Sequence, residues 1–268
     1  MIEFFKMHGL GNDFVLLHKS QLPPNVDVSA FAKEISNRRT GIGCDQLILY
    51  SELGSDEYEM FIYNQDGSSA GACGNGTRCL TKLIGKKHII INVQGRKLPA
   101  ALNNDGSVTV NMGSVSFNES WMPSESTLWE LSAFYKLDPR EAICAFVGNP
   151  HLVIFKSDLS DADQALIGQA LEHHPLFPGG INVNFAKVEN GKIDLKVWER
   201  GDGFTLACGS GASASYAAAK KLGFVGNEGV VKFELGELNM SMQNDDVLMT
   251  GPAVFVAKGA YEYGTSNV

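Results

Sequence analysis

The chain repeats itself, and any fold it adopts must accommodate that repeat. GNDFVLLHKS at 11–20 returns as GNPHLVIFKS at 148–157, and ACGNG at 72–76 returns as ACGSG at 207–211. Both matches fall at nearly one offset, close to half the chain. Fixed-period self-similarity of this kind marks a duplicated architecture. EMFIYNQDG at 59–67 leads into the first Cys motif and DLKVWERGDG at 194–203 into the second. There the agreement is in pattern rather than identity. Two homologous halves follow, 1–116 carrying Cys73 and 117–268 carrying Cys208, with the last strand able to pack on the N-terminal half. The stretch around Pro123, Ser124, Glu125 and Ser126 is the candidate connection, and a frayed tail is expected from about Gly264.

The element order repeats as well. Strands are expected over 15–18, 47–50 and 58–63, with counterparts over 153–156, 183–188 and 193–198. Helices are expected over 30–37 and 163–171. Each Cys motif opens a further helix, 76–84 and 212–222, stopped by Gly85 and Gly223. A meander follows each, over 88–93, 97–102 and 107–111 in one half and 230–234, 238–242 and 247–250 in the other. The turns Asn104-Asp105-Gly106 and Gln243-Asn244-Asp245 separate the last two strands of each. The helix after Cys208 is rich in small residues, which suits close surrounding by sheet. The expected class is α/β (α+β).

Composition narrows the function. Apolar residues make up 44% and charged residues 19% of 268, enough to bury a core. The net charge of −8 argues against a polyanion, so no nucleic-acid partner is expected. The N-terminus lacks a basic region followed by an apolar stretch, and no apolar run approaches the roughly 18 residues a membrane span needs. No membrane association is expected, and cytoplasm is the default. The five cysteines, Cys44, Cys73, Cys79, Cys144 and Cys208, include no CxxC pair and no His at zinc-ligand spacing. Neither a disulfide framework nor a metal site is expected.

Each Cys-Gly-x-Gly motif sits at the start of a helix. The first N–H groups of a helix lack internal partners, and the macrodipole adds positive charge there. Glycine lets backbone donors approach a ligand closely. Such a place favours an anion and brings a Cys pKa down from about 8.5 to roughly 3.5–7.5. One motif alone is most simply a packed small residue. Two, one per half, suggest paired chemistry. If the halves face each other, a thiolate removes a proton from one face of an α-carbon and a thiol delivers one to the opposite face. Donors from both helix ends would stabilise the carbanion, each commonly worth ~10²–10³ in rate. Cys44, Cys79 and Cys144 have no counterparts in the opposite half and are read as structural.

MHGLGNDF at 7–14, GIGCDQ at 41–46, NQDGSSAGACGNGTRC at 64–79, GNPH at 148–151, INVNF at 181–185 and WERGDGFTLACGSGA at 198–212 resemble the diaminopimelate epimerases. The match runs in order over nearly the whole chain. The resemblance implies Cys73 and Cys208 as the acid–base pair acting in conversion of LL- to meso-diaminopimelate, a step of lysine and cell-wall precursor synthesis. It implies substrate binding by Asn12, Gln46, Asn64, Asn149, Asn182, Glu199 and Arg200, with backbone donors from Gly74, Asn75, Gly209 and Ser210. It further implies two pseudo-symmetric domains, each a mixed, largely antiparallel sheet wrapped around a central helix. A homodimer and no cofactor, neither PLP nor metal, are implied too. Ser69-Ala70-Gly71-Ala72 is less bulky and less acidic than is usual before the first Cys, and Ser213-Ala214-Ser215 stands where another Cys is often found.

The polar residues also read physically. Arg200 offers a planar fork for a carboxylate, and Glu199 can accept from an ammonium. Glu199 stands as far before Cys208 as Asn64 stands before Cys73, and Asn12 corresponds to Asn149. Taken singly, these asparagines are turn residues and Glu199-Arg200 a surface pair. His151 either orients a cysteine or the substrate, or is structural. His173-His174 reads as solvated surface and Asp66 as turn chemistry. The rival readings are a proline- or hydroxyproline-type racemase, a thiol-redox protein joining Cys73 to Cys208, and an anion-binding module. The last lacks the Lys-Ser/Thr ending of a P-loop.

Overall fold

The computed structural model describes residues 1–71, 73–138, 141–156 and 158–264. Ala72 of the first Cys motif, Ser157 of the repeat and the tail beyond Gly264 lie outside the described residues. The chain falls into two compact units, Met1–Val110 with the stretch from Gly251 onward, and Asn111–Thr250.

In the first unit, β1 (Ile2–Gly9) and β2 (Asn12–His18) form an antiparallel hairpin. Its turn is Leu10-Gly11, at φ 55° and 88°, the doubly positive geometry that matches strand twist. Helix α1 (Val28–Ser36), capped by Asp27, crosses to β3 (Gln46–Glu52), which runs parallel to β2. β4 (Glu57–Asn64) returns antiparallel, and the short β5 (Ser69–Ala70) lies against it. Helix α2 (Gly74–Ile84) crosses to β6 (His88–Val93), parallel to β4. The meander closes with β7 (Arg96–Leu102) and β8 (Val108–Ser114).

The second unit repeats this path. β9 (Ala142–Phe146) and β10 (Pro150–Ile154) pair antiparallel. Helix α4 (Asp161–Glu172) follows α3 (Glu125–Phe134) in the chain and crosses to β11 (Asn182–Glu189), parallel to β10. β12 (Lys192–Glu199) returns, and β13 (Gly203–Thr205) lies against it. Helix α5 (Gly209–Lys221) crosses to β14 (Glu228–Phe233), parallel to β12. β15 (Gly236–Gln243) and β16 (Asp246–Gly251) complete the meander. The last strand, β17 (Val254–Tyr261), pairs antiparallel with β1.

In both units the central helix is sunk in the sheet. Every residue from Gly74 to Thr81 of α2 is buried, as are Ala212 to Ala219 of α5. A helix buried all round must be apolar or small, or must satisfy its polar groups internally. α5 meets this with alanine, and with Ser213 donating to Gly209 O at 2.9 Å. α2 meets it with Thr77 donating to Cys73 O and Thr81 to Thr77 O. The outer helices cover the opposite sheet faces. Phe31 and Ile35 of α1 join Val15, Leu17, Leu47 and Leu49 in one core. Ile167 and Leu171 of α4 join Leu152, Ile154, Val183 and Phe185 in the other.

The structure adds elements to those expected. The stretch expected as a connection starts α3, with Ser124 Oγ accepting from Thr127 N–H. Ser and Pro mark loops and helix starts alike, and α3 exposes Trp129 and Phe134, so no clean apolar stripe announces it. β1 and β9, the outer partners of the first long strand in each repeat, are added too, as are the short β5 and β13 before each Cys motif.

Candidate active site

Both cysteines are helix N-caps. Cys73 is extended at φ −152° and accepts from Gly76 N–H at 3.3 Å. Cys208 is extended at φ −127° and accepts from Gly211 N–H, also at 3.3 Å. Each thus takes the capping role usually filled by Ser, Asp or Asn, with sulfur at the positive end of a helix. The second glycine of each motif is required by packing. A Cβ on Gly76 would meet Ile48 Cδ1 at 2.7 Å, and one on Gly211 would meet Val197 Cγ2 at 2.8 Å. Gly74 with Asn75, and Gly209 with Ser210, begin the helices, where backbone N–H groups point outward.

Around Cys73, Asn12 Oδ1 lies 3.8 Å from the sulfur and accepts from Asn75 Nδ2 at 3.1 Å. Asn12 in turn donates to Asp45 at 2.9 Å. Asp45 and Asp13 share Arg38, and Lys6 bonds Asp13 at 2.5 Å and also reaches Gly43 O. Burial pushes the Asp13 carboxyl up, but the bonds from Arg38 and Lys6 outweigh it and hold it at about 2. Gln46 and Asn64 face each other across β3 and β4, joined by a bond of 2.9 Å from Gln46 Nε2. Gln46 Oε1 is buried without a partner among the described residues.

Around Cys208, Ser210 Oγ is 3.4 Å from the sulfur. Asn149 donates to that hydroxyl at 3.2 Å, and His151 Nε2 lies 3.1 Å from it. His151 Nδ1 faces Asn184 Oδ1 at 3.1 Å, while Asn184 Nδ2 donates to Gly211 O and Ser215 Oγ. Asn184 therefore presents an acceptor to Nδ1, while Nε2 lies 3.1 Å from both Ser210 Oγ and Asn149 Oδ1, so the two ring nitrogens compete for the one proton of a neutral imidazole. Burial lowers the His151 pKa to about 4 against the opposing bond to Asn184, so the ring is neutral at pH 7. Burial first, and the Glu199 carboxylate second, push the Cys208 thiol well above its ordinary value. Desolvation of this kind, opposing the helix end, keeps a thiol protonated.

Glu199 ends β12, Arg200 follows it in the turn, and both are held by the fold beneath them. Thr205 donates to Glu199, and Asn182 Oδ1 accepts from Arg200 N–H at 3.0 Å. Arg200 Nη1 donates to Gly179 O, and Gly180 at φ 81° leaves room for its stem, since a Cβ there would come 2.7 Å from Arg200 Cδ. Glu172 bonds Trp198 Nε1 at 2.8 Å and Gly201 N–H at 2.7 Å, tying α4 to this strand end. Gly168 lets Trp198 pack on α4, where a Cβ would come 2.7 Å from the indole.

Within the first unit, Asn12, Asn75 and Cys73 come together, with Gln46 and Asn64 as a bonded pair. In the second, Asn149, His151, Ser210 and Cys208 come together, and Glu199, Arg200 and Asn182 meet at a strand end. The supporting residues Asp13, Asp45, Glu172, Asn184 and Thr205 escape a sequence reading. Asn184 alone left a signal, as a polar residue two along from Asn182 in an apolar strand. Cys44, Cys79 and Cys144 are buried, and burial pushes their thiols up, to about 12 for the last two. Asp66 accepts from Ser68 N–H in a turn. His173 is exposed, but His174 is half-buried and packs on the Phe177 ring, so only the first of that pair is solvated surface.

The family model described as diaminopimelate epimerase matches residues 4–118 and 143–256, one segment in each half. A diaminopimelate epimerase of Rickettsia akari is 53% identical over 266 residues, covering 98% of each chain. That of Rickettsia bellii is 53% identical over 264 residues, covering 97% of each. Among solved structures, a predicted epimerase from Pseudomonas aeruginosa superposes with TM-score 0.71 at 15% identity, covering 97% of this chain and 99% of that one. A probable proline racemase from Agrobacterium radiobacter gives 0.70 at 15% identity, covering 100% and 94%. These two carry the fold alone; the ordered motifs, the family match across both halves and the full-length relatives carry the rest, and the chain belongs to the diaminopimelate epimerase family.

Proposed function

We propose that this protein interconverts LL- and meso-diaminopimelate without a cofactor, Cys73 and Cys208 acting as paired base and acid on one α-carbon. The observation that carries the reading is the duplicated turn, a Cys N-cap accepting from a glycine N–H at the head of a buried helix in each unit. A carboxylate at the α-carbon would accept from the N–H groups of Gly74, Asn75, Gly209 and Ser210. One thiolate takes the α-proton; the negative charge passes into the carboxylate and is held by those donors. The other thiol gives its proton to the opposite face, which inverts the centre. Glu199 would receive an ammonium and the Arg200 fork a carboxylate, with Asn12, Gln46, Asn64, Asn149 and Asn182 completing the polar lining. On this reading the enzyme serves lysine biosynthesis in the cytoplasm. No helix among the described residues is long and apolar enough to cross a membrane.

The test is proton NMR of LL-diaminopimelate with reduced protein in deuterated water. The α-proton signal is expected to disappear as the meso isomer grows. Cys73→Ala and Cys208→Ala should each lower that rate by roughly 10³-fold or more, within the range of a lost acid or base together with its positioning. Inversion surviving in either variant would sink the two-cysteine reading. Exchange seen with proline in place of diaminopimelate would move the assignment to the racemase branch.

A homodimer is proposed as well. β17 turns Val254, Phe255 and Val256 to solvent, at 40, 48 and 55% exposure, and a row of apolar side chains on a strand calls for a cover. A mass of one chain in sedimentation equilibrium at micromolar concentration would refute it.

A further inference from the structure

The two cysteine turns share their geometry but not the charge around them. Arg78 lies five residues beyond Cys73 on α2 and has no solvent exposure. Its Nε donates to Pro252 O at 3.1 Å. Its Nη2 runs beneath the turn: a Cβ on Gly9 would come 2.9 Å from Nη2 and 3.3 Å from Asn75 Cβ. The guanidinium therefore sits beside Asn75, two residues after Cys73. It interacts electrostatically with the Cys73 sulfur. Burial lowers its pKa only to about 10, so it stays charged at neutral pH.

Among the described residues bonded around Cys73, none brings an uncompensated negative charge. Asn12 and Asn75 are neutral amides. Asp45, behind Asn12, and Asp13 beside it are already paired with Arg38 and Lys6. Cys79 is a neutral thiol, pushed to about 12 by burial. At Cys208 the position matching Arg78 is Ser213, whose hydroxyl is spent on Gly209 O. His151 is neutral and reaches the sulfur only through Ser210. Among the described residues the Glu199 carboxylate acts on that sulfur, with the wrong sign for a thiolate.

We infer that the buried Arg78 guanidinium makes Cys73 the thiolate of the resting enzyme, while burial beside the Glu199 carboxylate keeps Cys208 a thiol, so that Cys73 starts as base and Cys208 as acid. The mechanistic meaning rests on the epimerase reading above; the protonation order does not. In the forward step the Cys73 thiolate gains the substrate proton and the Cys208 thiol loses its own. The enzyme leaves turnover with the charges exchanged, and a proton must pass from Cys73 to solvent and from solvent to Cys208 to restore the resting form. Arg78 is a positioning residue in this scheme, acting through the sulfur and never touching substrate.

The test reads each sulfur without catalysis. Iodoacetamide labelling of the reduced protein across pH, with each cysteine followed by mass spectrometry, gives a midpoint for each site that is independent of its accessibility. Thiolate absorbance of Cys208→Ala and Cys73→Ala provides a second reading. Cys73 is expected to titrate about two units or more below Cys208. Arg78→Met should raise the Cys73 midpoint by about one unit or more and leave that of Cys208 in place, and Arg78→Lys should keep it low. Glu199→Gln should lower the Cys208 midpoint. Cys208 titrating with or before Cys73 in the unaltered protein overturns the inference, as does a folded Arg78→Met with an unmoved Cys73. If Arg78→Met does not fold, the unaltered protein and Glu199→Gln decide. α-Proton exchange with LL-diaminopimelate is scored separately, so an active enzyme with the reverse order defeats only this inference, and an inactive one with this order defeats only the epimerase.

Discussion

Superposed by register, the two units share the cysteine, the glycines and the asparagine of the cysteine turn and differ in the side chains packed behind it. Phe14 pairs with Gln46 as His151 pairs with Asn182, which aligns β2 with β10 and β3 with β11. In that frame Asn12 matches Asn149, and Asn75 matches Ser210; each second residue of the helix bonds its own asparagine, at 3.1 and 3.2 Å. Gly76 matches Gly211. The wall behind the turn has diverged. Phe14 and Ile48 in one unit stand where His151 and Asn184 stand in the other, all four fully buried. One wall is apolar, with a buried cation on the helix; the other is a neutral hydrogen-bonded network, with a carboxylate near the sulfur. Duplication supplied two turns of one geometry, and the side chains behind them made them electrostatically unequal.

Exchanging the walls is the strongest way to break this comparison. Ile48→Asn would bury an amide among aliphatic side chains with nothing to bond, at a cost of about 3–4 kcal/mol. Asn184→Ile would strip partners from His151 Nδ1, Gly211 O and Ser215 Oγ together, at a cost of about 3 kcal/mol. Urea unfolding at fixed pH measures both. A cost below about 1 kcal/mol for either would mean that the walls are interchangeable and that their difference carries no packing information.

The same contrast explains what could be read from the sequence. The turns were legible because their chemistry is local. A Cys with two glycines before a helical run is visible in one dimension, and its second copy removes the bland reading. The element order was legible for the same reason: β12 alternates burial cleanly from Lys192 to Trp198, and Gly85 at φ 75° stops α2. The walls were not legible. Asn184 and His151 meet 33 residues apart through a parallel pairing, and Asp13 meets Asp45 and Arg38 through the α1 crossover. Nothing in a linear pattern separates a buried, bonded Asn from one in a turn. Arg78 shows the limit most sharply. Within TRC after the Gly-rich turn nothing in the sequence sets it apart from an arginine on a helix surface, and only the sheet closing over α2 makes it buried.

Acid should separate the units a second time, with a smaller effect. The titrating group of the polar wall is His151, whose folded pKa of about 4 lies below the 6.5 of an unstructured histidine. A depressed pKa means that protons bind the unfolded chain more readily, so the stability tied to a neutral His151 is complete above pH 6.5 and is lost as pH falls toward 4. The loss runs at up to about 1.4 kcal/mol per pH unit inside that window. The corresponding group of the first unit is Asp13, held at about 2 against 3.8. Its contribution is complete above about pH 4 and is lost from there down to about 2; it is worth about 1 kcal/mol, since the Arg38 partner is half-exposed and screened by solvent. Unfolding free energy measured between pH 7 and 3 should therefore fall in two stages, the upper owed to the second unit and the lower to the first. His151→Gln should flatten the upper stage and leave the lower one, and Asp13→Asn should do the reverse while lowering stability at pH 7. A single stage below pH 4, unchanged by His151→Gln, would show that the imidazole is not held neutral by its burial, and the polar wall would then differ from the apolar one in bonding but not in its response to protons.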